Sequence, residues 1–171
     1  GRLKEDMAQR GFLADLENLA SKGLSLDILC GPDALPEIAQ LAERIPLLRI
    51  VINHVAGVKI DGKAPDPKWV QGIVAVARQP RVFCKVSGLV EATGHKPAPG
   101  DLSYYKPTID VLWKVFGEDR LIYGSNWPVC ELFSNYATVH HIVSEYFNAK
   151  GGAAAEKYFW RNAKTAYKWI E

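Results

Sequence analysis

Arg49-Ile50-Val51-Ile52-Asn53-His54 decides how this chain is read. Three aliphatic positions in unbroken succession, bounded by a charge on one side and two polar side chains on the other, describe a short strand covered on both faces. The same pattern recurs on either side of it. Leu24 to Cys30 is strand-length and apolar apart from Ser25 and Asp27. Arg81 to Val86 is a third strand, ending in Ser87-Gly88, and Leu121-Ile122-Tyr123 is a fourth, running into Gly124-Ser125-Asn126-Trp127-Pro128.

Helical segments separate the strands. Leu3 to Lys22 carries Phe12, Leu13, Leu16, Leu19 and Ala20 at helical spacing and stops at Gly23. Gly31-Pro32-Asp33 breaks the first strand, and Asp33 is placed to cap a helix over Ala34 to Arg44, which Pro46 ends. Asp66-Pro67 opens a helix through Arg78, with Pro67 in its first turn. Tyr104 to Phe116 is the next helix, broken at Gly117. Two more, Asn135 to Ala149 and Ala153 to Ile170, flank Gly151-Gly152. Strands alternating with helices predict a parallel sheet, because each crossover returns the chain to the same end. Four strands are too few to close a barrel. The expectation is therefore an α/β domain over residues 1–171: either a doubly wound sheet or half of a (β/α)₈ barrel.

Composition narrows the function classes. The chain has 171 residues, is 48% hydrophobic and carries a formal net charge of +2. No basic run predicts nucleic-acid binding, and no apolar stretch of about 18 residues predicts a membrane span. Gly1 to Arg10 is charged and has no signal-peptide core. Cys30, Cys84 and Cys130 form neither a disulfide framework nor a zinc ribbon, which suits a reducing, cytoplasmic compartment. Phosphate-binding glycine motifs are missing, as is a Gly-x-Ser-x-Gly elbow.

In parallel α/β folds chemistry collects at the C-terminal strand ends. Here those ends are polar: Asn53-His54, Lys85-Val86-Ser87 and Ser125-Asn126-Trp127. A histidine in that position can ligate a metal, move a proton or polarise a carbonyl, or be held for structure alone. Asn126 can donate and accept hydrogen bonds but cannot act as a base. Trp127 can stack on a ligand or fill space beneath a loop. Lys85 and Ser87 differ by two and share a side. His95, His140 and His141 lack metal-ligand spacing and read as loop or helix-surface residues; Asp27, mid-strand, reads as structural.

Ile50-Val51-Ile52-Asn53-His54-Val55-Ala56-Gly57 resembles the V-I-D-H-x-G segment of the amidohydrolase-related family. Phe116 to Cys130 resembles its F-G-x-D-R-L-x-x-G-S-D-W-P-V segment, Lys85-Val86-Ser87-Gly88-Leu89 its K-x-S-G-L strand end, and Asn162-Ala163 the N-A of its closing helix. The nearest branch is the lactonase-like hydrolases. The resemblance implies the C-terminal half of a TIM-type barrel, whose strands five to eight are the four read here, with about four further β/α units upstream. It implies hydrolysis of a lactone or related cyclic ester by activated water. His54 and Asn126 take the catalytic positions, and Asn53, Lys85, Ser87 and Trp127 are the expected substrate-binding residues. Asn126 stands where the family has an aspartate that activates water, so either Glu131 supplies the base or the protein is a silent barrel piece that binds a ligand or partner. No cofactor is fixed; lactonase-like members often work without metal, and a divalent ion such as zinc is left open for an intact barrel. The expected partners are a small-molecule substrate and, because a half barrel exposes two strand edges, a second copy or the missing half.

Overall fold

The computed structural model describes residues 2–168. Gly1 and the expected helical residues beyond Lys168, through Ile170, lie outside them. Four strands form one sheet: β1 (Ser25–Ile28), β2 (Arg49–Ile52), β3 (Val82–Val86) and β4 (Leu121–Tyr123). Their order is β1-β2-β3-β4 and every pairing is parallel, with Leu26 opposite Ile50, Ile52 opposite Cys84, and Cys84 opposite Leu121. The expected α/β class and all four strands are present, each trimmed to its hydrogen-bonded centre.

The helices follow the predicted alternation with three differences. The first predicted helix is two, α1 (Arg2–Asp6) and α2 (Arg10–Ser21). Between them the backbone tightens to three-residue steps, Ala8 N–H to Glu5 O and Gln9 N–H to Asp6 O. Gly23 closes α2 as expected: Gly23 N–H reaches Ala20 O and Leu24 N–H reaches Leu19 O, with Gly23 at φ +70°. Asp33 does not cap α3 (Leu35–Arg44); it lies inside a 3₁₀ turn, Pro32–Ala34, that leads straight into the helix. Asp66 does cap α4 (Pro67–Ala77), accepting from Lys68 N–H at 2.7 Å. Next come α5 (Leu102–Phe116) and α6 (Tyr136–Asn148). The last predicted helix is α7 (Gly152–Glu156), a π-type turn (Lys157–Arg161) and α8 (Asn162–Tyr167).

Alternation along the strands divides the sheet into two faces. Ile50, Ile52, Val82, Cys84, Val86 and Leu121 face the helices and join Leu35, Ile38, Trp69, Ile73 and Leu112 in the main core. Each fully buried aliphatic side chain there contributes about 1.5–3 kcal/mol. Val51, Phe83 and Ile122 face the other way and pack under Ala163, Ala166 and Tyr167 of α8. Arg49 ties that helix to the sheet, donating to Ala166 O at 2.6 Å and also to Gly23 O. β1 and β4 are the sheet's edges. Among the described residues, no helix is long and apolar enough to cross a membrane.

Candidate functional site

The chain leaves β2 through an unusual turn. His54, Val55, Ala56 and Gly57 have φ of +49°, +47°, +54° and +60°, a left-handed turn of which only the last residue is glycine. Left-handed backbone costs an L-residue roughly 1–2 kcal/mol. Packing offsets that cost: Val55 and Ala56 are fully buried, and Trp69 Nε1–H donates to Val55 O at 2.9 Å. Gly57 must be small as well, because a Cβ there would stand 2.9 Å from Cys30 O. The result turns the half-buried His54 ring across the end of β3.

There His54 Nδ1 meets Ser87 Oγ at 2.8 Å. Gly88 makes room for the ring; a Cβ on it would lie 2.9 Å from His54 Cβ. Ser87 itself is buried, so it holds the imidazole rather than facing solvent. Burial pushes the His54 pKa below its ordinary value of 6.5; Glu91 nearby pulls it back up and Lys85 adds to the depression. A neutral ring with Nδ1 engaged leaves Nε2 for another partner.

Asn126 follows β4, also left-handed at φ +58°. Its amide Nδ2 donates to Glu91 Oε1 at 2.8 Å. Glu91 sits on the 3₁₀ turn Glu91–Thr93 after β3, and its other oxygen, Oε2, is buried with no hydrogen-bond partner. His54, Lys59, Glu91 and Asn126 line one cavity of about 520 Å³ whose apolar walls are Val58, Ala92, Val129 and Phe133. That size and balance of apolar wall to few polar groups suit a small organic molecule.

Glu91 was not singled out in the sequence. The expected stand-in base, Glu131, is exposed and accepts Tyr136 N–H at the start of α6. The four expected substrate-binding residues lie outside this cavity's lining. Ser87 is behind His54. Lys85 is drawn to the far face of the sheet, ion-paired with Asp27 at 2.7 Å, and Tyr167 O–H also reaches Asp27, at 3.0 Å. Asn53 is half-buried, with Oδ1 unpartnered, and Trp127 is 65% exposed. His95, His140 and His141 are exposed, as expected, His140 stacking on Phe159 and Tyr136.

The family profile described as amidohydrolase matches residues 4–169. The chain belongs to the amidohydrolase family. Among its relatives is an L-fucono-1,5-lactonase of Burkholderia ambifaria, 33% identical over 138 residues, an alignment covering 77% of this chain and 46% of that protein. The amidohydrolase chain thus spans about half the length of the curated relatives it matches. An amidohydrolase of Burkholderia multivorans solved with bound HEPES superposes with a TM-score of 0.87 at 24% identity, covering 95% of this chain and 59% of that one; the same protein has been solved with bound zinc. A TIM-barrel protein of Bordetella bronchiseptica superposes with a TM-score of 0.60 at 19% identity, covering 92% of this chain and 50% of that one. The four parallel strands and their helices accordingly have the fold of part of a TIM-type barrel.

A zinc site needs three or four nitrogen, oxygen or sulfur ligands converging on one point. Among the described residues of this amidohydrolase, no three histidine, cysteine, aspartate or glutamate side chains converge so. These residues alone do not fit a metal centre.

Proposed function

We propose that the protein hydrolyses a lactone or related cyclic ester held in the cavity between His54 and the Asn126–Glu91 pair. The observation that carries this reading is the meeting of those three groups, from three successive strand ends, around one small, mostly apolar space. A lactone offers a carbonyl and a ring oxygen on an otherwise compact body, which suits few polar groups among apolar walls. Kinship with an L-fucono-1,5-lactonase supports the substrate class.

In this reading Ser87 O–H donates to His54 Nδ1, so the neutral ring carries its hydrogen on Nε2. That N–H is offered to the carbonyl oxygen, where negative charge develops as water adds. A preorganised donor at that point is worth about 2.7–4 kcal/mol. Ser87 is a positioning residue and His54 a catalytic one. The amide of Asn126 favours a second reading, ligand binding without turnover, because an amide cannot take the proton from water.

The test is a panel of sugar lactones, assayed for acid release by the protein carrying this chain and by His54→Ala. Turnover that falls at least about 100-fold in His54→Ala supports the hydrolase. Tight lactone binding with no release above the uncatalysed rate supports the binding reading and overturns the hydrolase.

A further inference from the structure

We propose that Glu91, not residue 126, is the general base of this cavity, and that Asn126 positions it. The inference deepens the lactone reading and rests on it. Other carboxylates near the strand ends do not line this cavity: Asp27 pairs with Lys85 and accepts from Tyr167, and the exposed Glu131 accepts the Tyr136 N–H. Glu91 shares the cavity with His54.

Its two oxygens are in unlike situations. Oε1 is held by Asn126 Nδ2–H at 2.8 Å, while Oε2 is shielded and lacks any donor among the described residues. Asn126 thus fixes the orientation of a carboxylate at the cavity wall, and no donor on its second oxygen competes for a proton. The turn beneath it is also fixed. Ala92 N–H returns to Gly88 O at 3.1 Å, and Ile60 N–H binds Ala92 O at 3.0 Å, which locks the base turn to the segment following His54.

The amide at position 126 then has a reason. A carboxylate there would stand within hydrogen-bond distance of Glu91, and two like charges so close disfavour each other's ionisation, so the pair would hold a proton more readily than a lone carboxylate. Asparagine removes that competition and donates instead. The step balances as follows. A water O–H bond breaks and its proton passes to the Glu91 carboxylate. The water oxygen bonds to the lactone carbonyl carbon, and the C=O π pair moves onto oxygen, opposite His54 Nε2–H. The oxyanion collapses, the ring C–O bond breaks, and Glu91 returns the proton to the departing alkoxide. A hydroxy acid leaves and the carboxylate is regenerated.

The experiment combines turnover with titration on the protein carrying this chain. Glu91→Gln is expected to lower kcat about 10²–10⁴-fold, with little change in KM and loss of the acid limb of the pH profile. The exchange Glu91→Gln with Asn126→Asp restores an amide–carboxylate pair in the reverse sense and is expected to regain part of that loss. An undiminished kcat in Glu91→Gln overturns the proposal. Separately, carboxyl ¹³C NMR of Asn126→Asp is expected to give a coupled pair with one pKa raised well above the usual carboxylate range. Independent, ordinary titrations overturn the pairing whatever the activity. A coupled pair in a protein that hydrolyses no lactone rejects the lactone reading and Glu91's role as base within it, leaving only the pairing.

Discussion

Ser87 Oγ and His54 Nδ1 lie 2.8 Å apart, joining the end of β3 to the turn after β2. This bond sets which nitrogen of the ring is left for a substrate. Ser87→Ala removes it without changing the backbone. A net hydrogen bond of this kind is worth about 0.5–1.5 kcal/mol, or roughly 2- to 12-fold in rate. The expected outcome is a kcat decrease in that range on whichever lactone is turned over, with the fold unchanged by circular dichroism. An unaltered kcat would mean that the ring is held by its packing alone.

Gly88 carries two demands at once: φ of +65° and a side-chain position already taken by His54 Cβ. Gly94, at φ +70°, has open space around its missing Cβ. Alanine at either position meets backbone strain of about 1–3 kcal/mol, but only Gly88→Ala must also displace the imidazole. Urea unfolding of the two variants is expected to show the larger loss in Gly88→Ala. Equal losses would show that His54 is free to move aside.

The β1 edge has no neighbouring strand among the described residues, and Leu29 at its end is 74% exposed. An open strand edge flanked by apolar side chains is a template for association. Sedimentation of the 171-residue chain by itself is expected to show dimers or larger species, and Leu29→Asp to shift them toward monomer. A chain that sediments as a monomer across a hundredfold concentration range would contradict this.

Much of the fold was legible in short-range pattern. Apolar runs marked the strands, Gly23 and Gly117 marked helix ends, and Asp66-Pro67 marked a start. The misread features are ones that tertiary context decides. Nothing at Met7 to Gln9 is a helix breaker, yet the first helix divides there. Asp33 has the right chemistry for a cap, but the chain takes a 3₁₀ turn through it. The site divides in the same way. His54 and Asn126 drew notice as polar residues closing two strands, and only the family resemblance marked them as expected catalytic positions. Glu91 lies four residues beyond Ser87 in a loop whose path no periodicity reports, and only its meeting with Asn126 sets it apart. Strand alternation read the side of Lys85 but could not foresee that Asp27 and Tyr167 occupy it.

His54 and the Glu91–Asn126 pair share the walls of a single cavity, and the titration of His54 reports on that proximity. Burial depresses its pKa, so the unfolded chain takes up a proton below pH 6.5 before the folded one does. The stability associated with a neutral His54 is therefore complete above that pH and is lost as the pH falls toward the folded value. The Glu91 charge opposes the depression. ¹H NMR of the His54 ring is expected to give a midpoint below 6.5 in the unmodified protein and a still lower one in Glu91→Gln. A midpoint that does not move on removing the Glu91 charge would place the two groups in separate environments and rule out a shared cavity.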